Sequence, residues 1–139
     1  MYQYLDLPQV PDDLLLSLDK VLQLENIFEY KDKTDVYTIH PCQTALTEYL
    51  KKIFPKHTKF RYHTLTDELP IHVDIGRSQA INYIIDAGGS DVKTTWYKDD
   101  KTTKILEKVL KPNCWHSIKT DIHHGVSNIK TRRYAITVG

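Results

Sequence analysis

From residue 60 onward the chain consists of short β-type runs separated by turn residues, and no helical pattern comes between them. Strands that follow one another so closely pair mainly antiparallel, because parallel neighbours need long crossover connections. The pattern therefore predicts a double-sheet barrel or jelly roll. The eight predicted strands are residues 60–65, 71–74, 79–85, 92–97, 105–110, 114–119, 122–127 and 133–138.

Two helical segments are predicted before the strands. Pro11 and the two aspartates after it favour a helix start, and apolar residues then recur at helical spacing as far as Phe28. The second segment runs from about residue 43 to 54 and is closed by Pro55. The chain is thus expected to be mainly β (α+β), with residues 1–55 as two supporting helices and residues 60–139 as a jelly-roll core.

Length and composition limit the possible functions. A chain of 139 residues with 40% hydrophobic and 27% charged residues is expected to form a single globular domain of residues 1–139. It contains no apolar run near the roughly 20 residues of a membrane span, so no membrane partner is expected. A net charge of +1 gives no general attraction to nucleic acid. Cys42 and Cys114 form no CxxC pair, and the chain start lacks a basic segment; we expect a cytoplasmic protein.

A histidine and an aspartate are placed to bind one metal ion. In the triplet His72-Val73-Asp74, the imidazole and the carboxylate stand at positions i and i+2 of a predicted strand. Their side chains therefore leave the same face of the sheet. Such a triplet is common by chance, so it carries weight only together with further ligands.

Further ligands follow about fifty residues later. The segment His123-His124-Gly125-Val126-Ser127-Asn128 offers a third ligand, and Arg133 stands on the last predicted strand. Two histidines and one carboxylate that leave coordination positions open are the ligand set of non-haem Fe(II) oxygenases. The order HxD, HxVxN and a closing-strand arginine resembles the Fe(II)/2-oxoglutarate-dependent dioxygenases. The final run Arg133-Tyr134-Ala135-Ile136-Thr137-Val138 is similar to the closing strand of their prolyl-hydroxylase-like branch.

Two registers satisfy this pattern, because the spacing from His123 to Arg132 equals that from His124 to Arg133. Strand alternation favours the second pair. Arg133 shares its face with small or polar residues suited to a ligand cavity, whereas the opposite face carries the bulky apolar residues of this strand and should pack on helices.

The resemblance, which covers residues 60–139, implies a mechanism and a ligand set. His72, Asp74 and His124 would hold Fe(II), and Arg133 would bind the distal carboxylate of 2-oxoglutarate through its planar fork. Oxidative decarboxylation of 2-oxoglutarate with dioxygen would accompany hydroxylation of a substrate. A peptide, an amino-acid side chain or another small molecule is the expected substrate, and nucleic acid is not expected as a partner.

Two more positions are candidates for cosubstrate binding. Tyr62 lies on the strand before the HxD triplet, where the prolyl-hydroxylase-like branch often has a cavity tyrosine. Asn82 and Tyr83 point to opposite faces of their strand, so one of them can enter the cavity. Asn82 is favoured because asparagine suits a strand interior only where its amide finds partners.

The remaining polar and aromatic residues receive structural interpretations. Trp96 is expected in the core, His116 at the surface or partly buried, and Arg77 in a solvated loop. Two alternatives to the dioxygenase remain open. One is a cupin-type metalloprotein that does not use 2-oxoglutarate, and the other is a non-catalytic jelly-roll binding module.

Overall fold

The computed structural model describes residues 1–28 and 36–139. Over these residues it contains ten strands, two α-helices and one 3-10 turn. The strands are β1 (Tyr2–Tyr4), β2 (Tyr37–Pro41), β3 (Phe60–Leu65), β4 (Leu69–His72), β5 (Gln79–Asp86), β6 (Lys93–Tyr97), β7 (Lys104–Lys108), β8 (Trp115–Lys119), β9 (His124–Ser127) and β10 (Arg133–Val138). The α-helices are α1 (Leu18–Gln23) and α2 (Thr44–Ile53), and the 3-10 turn is Asp12–Leu14.

The strands form two antiparallel sheets. Six strands pair in the order β1-β8-β5-β10-β3-β2, and four pair in the order β4-β9-β6-β7. This arrangement confirms the predicted mainly β double-sheet fold, and all eight predicted strands form within a few residues of their predicted bounds. No helix in the described part of the chain is both long and apolar enough to cross a membrane.

The main hydrophobic core lies between the six-stranded sheet and the helical segments. Tyr134, Ile136 and Val138 of β10 point into it, together with Leu46 and Leu50 of α2. β10 therefore shows the alternation expected from sequence, with its bulky apolar face packed on the helices. Trp96 is fully buried, as expected, and its indole nitrogen donates to the Lys119 carbonyl oxygen at 3.1 Å.

The N-terminal part was predicted to contain only two helices, and the structure differs from this prediction. α1 is only six residues long. The backbone is extended at Leu15, and the helix begins only after its N-cap residue Ser17, whose hydroxyl accepts from the Lys20 amide. β1 and β2 were not predicted, and they extend the large sheet by pairing with β8 and β3. Residues 1–55 thus supply two edge strands in addition to helical support. A three-residue strand and a run that contains His40 and Pro41 carry too weak a pattern to be detected.

Candidate metal centre

Three side chains with metal-binding atoms meet at the edge of the four-stranded sheet. His72 ends the edge strand β4, Asp74 follows it by two residues, and His124 begins the neighbouring strand β9. Asp74 Oδ1 lies 3.2 Å from His72 Nε2 and 3.6 Å from His124 Nε2. One possible ligand atom from each residue lies within 4.8 Å of the others. The structure therefore brings together the three residues that the sequence nominated as ligands.

The pairing of β4 with β9 produces this cluster. His72 and His124 are directly opposed across the two strands, and their rings stand 4.4 Å apart between centroids. Gly125 allows the strands to approach, since a Cβ atom there would lie 2.9 Å from the Leu69 carbonyl oxygen. The backbone amide of Asp74 donates to the Thr120 carbonyl oxygen at 2.8 Å and holds the carboxylate beside the rings.

Backbone carbonyl groups fix the orientation of both imidazoles. His72 Nδ1 donates to the Pro70 carbonyl oxygen, and His124 Nδ1 donates to that of Ile122, each at 2.7 Å. A carbonyl oxygen can only accept, so Nδ1 carries a hydrogen atom in both rings. Both Nε2 atoms therefore face the cluster, and outer hydrogen bonds of this type are typical of metal-binding histidines.

Asp74 is held ionised. Burial raises the pKa of its carboxyl group, but hydrogen bonds from His72 and Arg77 outweigh this and lower it to about 2. Arg77 Nε donates to Asp74 Oδ2 at 2.6 Å, which leaves Oδ1 directed at the histidines. Arg77 is an exposed loop residue, as the sequence suggested, and it is also the partner of the Asp74 carboxylate.

The cluster has a buried side and an open side. The His124 side chain is 5% exposed and that of His72 is 36% exposed. Burial lowers the pKa of His124, whereas the hydrogen bond to Asp74 raises that of His72, so a proton competes with a metal ion at His72 Nε2. A bound ion would be reachable from solvent on the His72 side.

The structure also distinguishes the two registers that the sequence left open. His124 is in the cluster, whereas His123 points elsewhere, with Nδ1 3.9 Å from the exposed Asp99 carboxylate. Arg132 donates to Thr64, and Arg133 lines a cavity. The favoured pair, His124 and Arg133, is the one placed on the cavity side.

The cavity adjoins the three ligands and has a volume of about 750 Å³. All three line it, and so do Arg133 and Asn82 on the opposing six-stranded sheet. Among the described residues, neither Arg133 nor Asn82 has a hydrogen-bond or ion-pair partner for its side chain. Burial lowers the pKa of Arg133 to about 10, which leaves it a cation at neutral pH. The cavity thus combines a cluster of possible metal ligands with a positive charge that has no counter-ion among the described residues.

Tyr62 does not face this cavity, contrary to the prediction. It lies in the helix-facing core, where its hydroxyl donates to Gln43 Oε1 at 2.9 Å and accepts from the Leu16 amide at 3.3 Å. The physical reason is strand alternation: on β3 the cavity-lining histidine is His63, and Tyr62 belongs to the other face. Tyr83 also packs in the helix-facing core, so Asn82 is the member of that pair that reaches the cavity.

Two cavity residues were missed by the sequence analysis. His116 was expected at the surface or partly buried, but it is fully buried and lines the cavity. His63 lines the cavity as well, and its Nδ1 is hydrogen-bonded to the Tyr37 hydroxyl. His116 stands directly opposite Asn82 on the neighbouring strand, so pairing the two predicted strands from Asn82 could have placed His116 at the cavity. The second residue, His63, depends on β2, which was not predicted.

No protein-family model matches the chain, and no curated protein is a significant match to its sequence. Solved structures do resemble its fold. A structure of oxalate decarboxylase matches with a TM-score of 0.51 and 12% identity, over 91% of this chain and 33% of the other. A mutant of the Bacillus subtilis oxalate decarboxylase gives a TM-score of 0.52 and 11% identity, over 86% and 28%. An oxidoreductase of the 2OG-Fe(II) oxygenase family from Burkholderia pseudomallei gives 0.48 and 7% identity, over 69% and 50%.

These likenesses concern the fold alone. Identities near 10% carry no residue roles, and the overlap with the oxygenase-family protein is too loose to support an argument. The chain spans about a third of the length of the oxalate decarboxylase chains. The double-sheet jelly-roll architecture is therefore shared with known enzymes, and the chemistry must be argued from the site.

Proposed function

We propose that the chain is an Fe(II)- and 2-oxoglutarate-dependent oxygenase that uses dioxygen to hydroxylate a peptide, an amino-acid side chain or another small molecule. The observation that carries the proposal is the combination of two elements in one cavity. Two histidines and one carboxylate can hold a metal facially, and an arginine without a counter-ion among the described residues lies on the closing strand.

The donor set fits a divalent iron. His72 Nε2, Asp74 Oδ1 and His124 Nε2 would hold the ion, and three protein ligands leave coordination positions open for other molecules. When bound, Fe(II) would supply dioxygen activation coupled to oxidative decarboxylation of 2-oxoglutarate. The protein orients the ligands through the Pro70 and Ile122 carbonyl groups, and Arg77 holds the carboxylate ionised.

Arg133 is the residue that supports 2-oxoglutarate as the cosubstrate. A planar guanidinium group donates two parallel hydrogen bonds to a carboxylate, and such charge-assisted pairs are strong in a shielded cavity. Arg133 would bind the carboxylate of 2-oxoglutarate that is distal to the metal. Asn82 lines the same cavity, its amide has no partner among the described residues, and it can add a hydrogen bond. The open His72 side leaves room for a substrate to approach the metal from solvent.

The test is anaerobic reconstitution with Fe(II) followed by 2-oxoglutarate. We expect a metal-to-ligand charge-transfer absorption band and, on admitting air, formation of succinate. His124→Ala should lose iron and the band. His123→Ala is the matched control, because this neighbouring histidine lies outside the cluster, and it should behave as wild type. Equal turnover in His124→Ala and wild type would refute the ligand assignment.

Arg133→Gln separates the oxygenase from a metalloenzyme of the same fold that does not use 2-oxoglutarate. If the proposal is correct, this variant keeps iron and loses affinity for 2-oxoglutarate by about 10-fold to 100-fold, as removal of a charged hydrogen-bonding group predicts. Iron binding without any 2-oxoglutarate-dependent band in wild type would instead support the alternative metalloprotein.

A further inference from the structure

His116 is a buried histidine whose two ring nitrogens have no hydrogen-bond partner among the described residues. It lies on β8, faces the cavity and is fully buried. Neither ring nitrogen forms a hydrogen bond within the described part of the chain; the Cys114 carbonyl lies near enough to affect its pKa, but without hydrogen-bond geometry. Buried polar groups are nearly always paired with protein or water. An imidazole with two unused nitrogens therefore indicates a place where another molecule binds.

The polar residues across the strands from His116 also lack hydrogen-bond partners among the described residues. On β5, Asn82 stands directly opposite His116, and on β10, Thr137 stands directly opposite Asn82. The Thr137 hydroxyl is buried without a partner, and the Asn82 amide has none among the described residues. Three adjacent strands thus present one row of polar side chains that have no hydrogen-bond partner within the described part of the chain.

Arg133 decides what kind of molecule fits. Burial and then the nearby positive charge of Arg133 lower the pKa of His116 to about 4, so the ring is neutral at physiological pH. A neutral imidazole donates through one nitrogen, and Arg133, which lines the same cavity, is a cation without a carboxylate partner in residues 1–28 and 36–139. An anion satisfies both groups, whereas a neutral ligand would leave the half-buried Arg133 without a counter-ion among the described residues.

We propose that His116 binds the distal carboxylate of a dicarboxylate cosubstrate, donating its ring N–H beside the guanidinium fork of Arg133. This inference rests on the proposed function and adds a residue to its cosubstrate site. His116 acts at the end of the cosubstrate away from the metal, because it faces the cavity from the six-stranded sheet that also carries Arg133, whereas His72 and His124 lie on the four-stranded sheet.

The first test uses glutarate, which has both carboxylates of 2-oxoglutarate but no keto group to chelate a metal. Its dissociation constant is measured by calorimetry on the full chain without added metal. We expect His116→Ala to raise this constant by about tenfold or more. His116→Gln keeps an N–H donor and should stay within about threefold of wild type.

His57→Ala is the matched control. His57 also has a buried ring nitrogen without a partner in the described residues, but it packs against Phe54 and does not line the cavity. Its substitution should leave the glutarate dissociation constant unchanged. A folded His116→Ala protein that binds glutarate as tightly as wild type would overturn the inference.

A second measurement needs no variant. In wild-type protein labelled with nitrogen-15 at histidine, the His116 ring N–H resonance should shift and exchange more slowly with water as glutarate is added. An unmoved His116 signal at saturation, or no binding of glutarate to wild type, would overturn the inference.

The two proposals fail in different ways. If glutarate binding depends on His116 but the protein forms no succinate from 2-oxoglutarate, the carboxylate site is supported and the proposed oxygenase activity is refuted. Normal succinate formation by His116→Ala, with unchanged affinity for 2-oxoglutarate, removes the His116 inference and leaves the oxygenase standing.

Discussion

Two buried histidines on opposite faces of the six-stranded sheet differ in one respect. His40, on the helix-facing side, uses both ring nitrogens: Nδ1 contacts the carbonyl oxygens of Leu24 and Glu25 at 3.2 and 3.1 Å, and Nε2 contacts the Thr38 hydroxyl at 2.8 Å. His116, on the cavity side, uses neither. The two side chains are 2% and 0% exposed, so burial does not distinguish them. Hydrogen-bond satisfaction does, and it separates a histidine that holds the fold from one that awaits a ligand.

Other polar groups on the two faces follow the same division. The Tyr62 hydroxyl has two partners on the helix side, whereas Arg133 has none among the described residues on the cavity side. Trp115 and His63 are exceptions, since the Trp115 indole nitrogen has no partner among the described residues of the helix-facing core, whereas His63 lines the cavity and is hydrogen-bonded to Tyr37. The contrast is therefore a tendency of the faces, and variants can test it.

The largest effect on stability is expected for His40→Ala. Removing this ring leaves two carbonyl groups without their histidine partner, removes one of the two hydrogen bonds of the Thr38 hydroxyl and opens a void, which should lower the free energy of unfolding by about 3 kcal/mol. Urea denaturation measures the change. Glutarate binding by the folded fraction should be unaffected, and a loss of less than about 1 kcal/mol would contradict a structural role.

The next effect is on the pH dependence of stability. His116 has a pKa of about 4 in the folded chain and near 6.5 in an unfolded one, so its contribution is present above pH 6.5 and is lost as pH falls. The slope for one group is about 1.4 kcal/mol per pH unit. Urea denaturation between pH 6 and 4.5 should therefore give a steeper dependence for wild type than for His116→Leu. Parallel curves would show that His116 is not held neutral by the fold.

A smaller loss is expected for Tyr62→Phe. This change leaves Gln43 and the Leu16 amide without the tyrosine hydroxyl and should lower the free energy of unfolding by about 1 kcal/mol. The affinity for 2-oxoglutarate should not change, because Tyr62 lies on the helix side. A tenfold loss of that affinity with normal stability would restore the cosubstrate role that the sequence suggested.

The smallest effect is expected for His116→Leu at pH 7. This histidine makes no hydrogen bond in the described structure, and an apolar side chain of similar size removes a buried unsatisfied group. The free energy of unfolding should stay within about 0.5 kcal/mol of wild type. A loss near that of His40→Ala would mean that His116 supports the fold and would erase the contrast between the two faces.

Strand periodicity made part of the site predictable. On β10, alternation alone placed Tyr134, Ile136 and Val138 on the helices and Arg133 on the other face, and the structure agrees. Alternation also put Asn82 and Tyr83 on opposite faces of β5, and the structure has Asn82 on the cavity side. These predictions succeed because side chains alternate strictly along a strand and one face is strongly apolar.

Contacts between distant segments were not predictable. Tyr62 was assigned to the cavity by family analogy, but its partners lie 19 and 46 positions earlier in the chain, in a region whose path the sequence did not reveal. His116 was expected at or near the surface. In the structure β1 covers the edge of the strand that carries His116, and β1 was not predicted because it is only three residues long. Short edge strands carry little pattern, and they determine which polar residues become enclosed.

The position of β4 has a consequence for how the protein would respond to chelators. This strand is the margin of its sheet, it pairs irregularly with β9, and it carries or directly precedes two of the three proposed ligands. An ion bound there would hold the edge strand β4 to β9, with which it otherwise pairs irregularly. Withdrawal of the ion should therefore loosen residues 69–74 first, and amide hydrogen exchange should accelerate in that stretch while the large sheet stays protected.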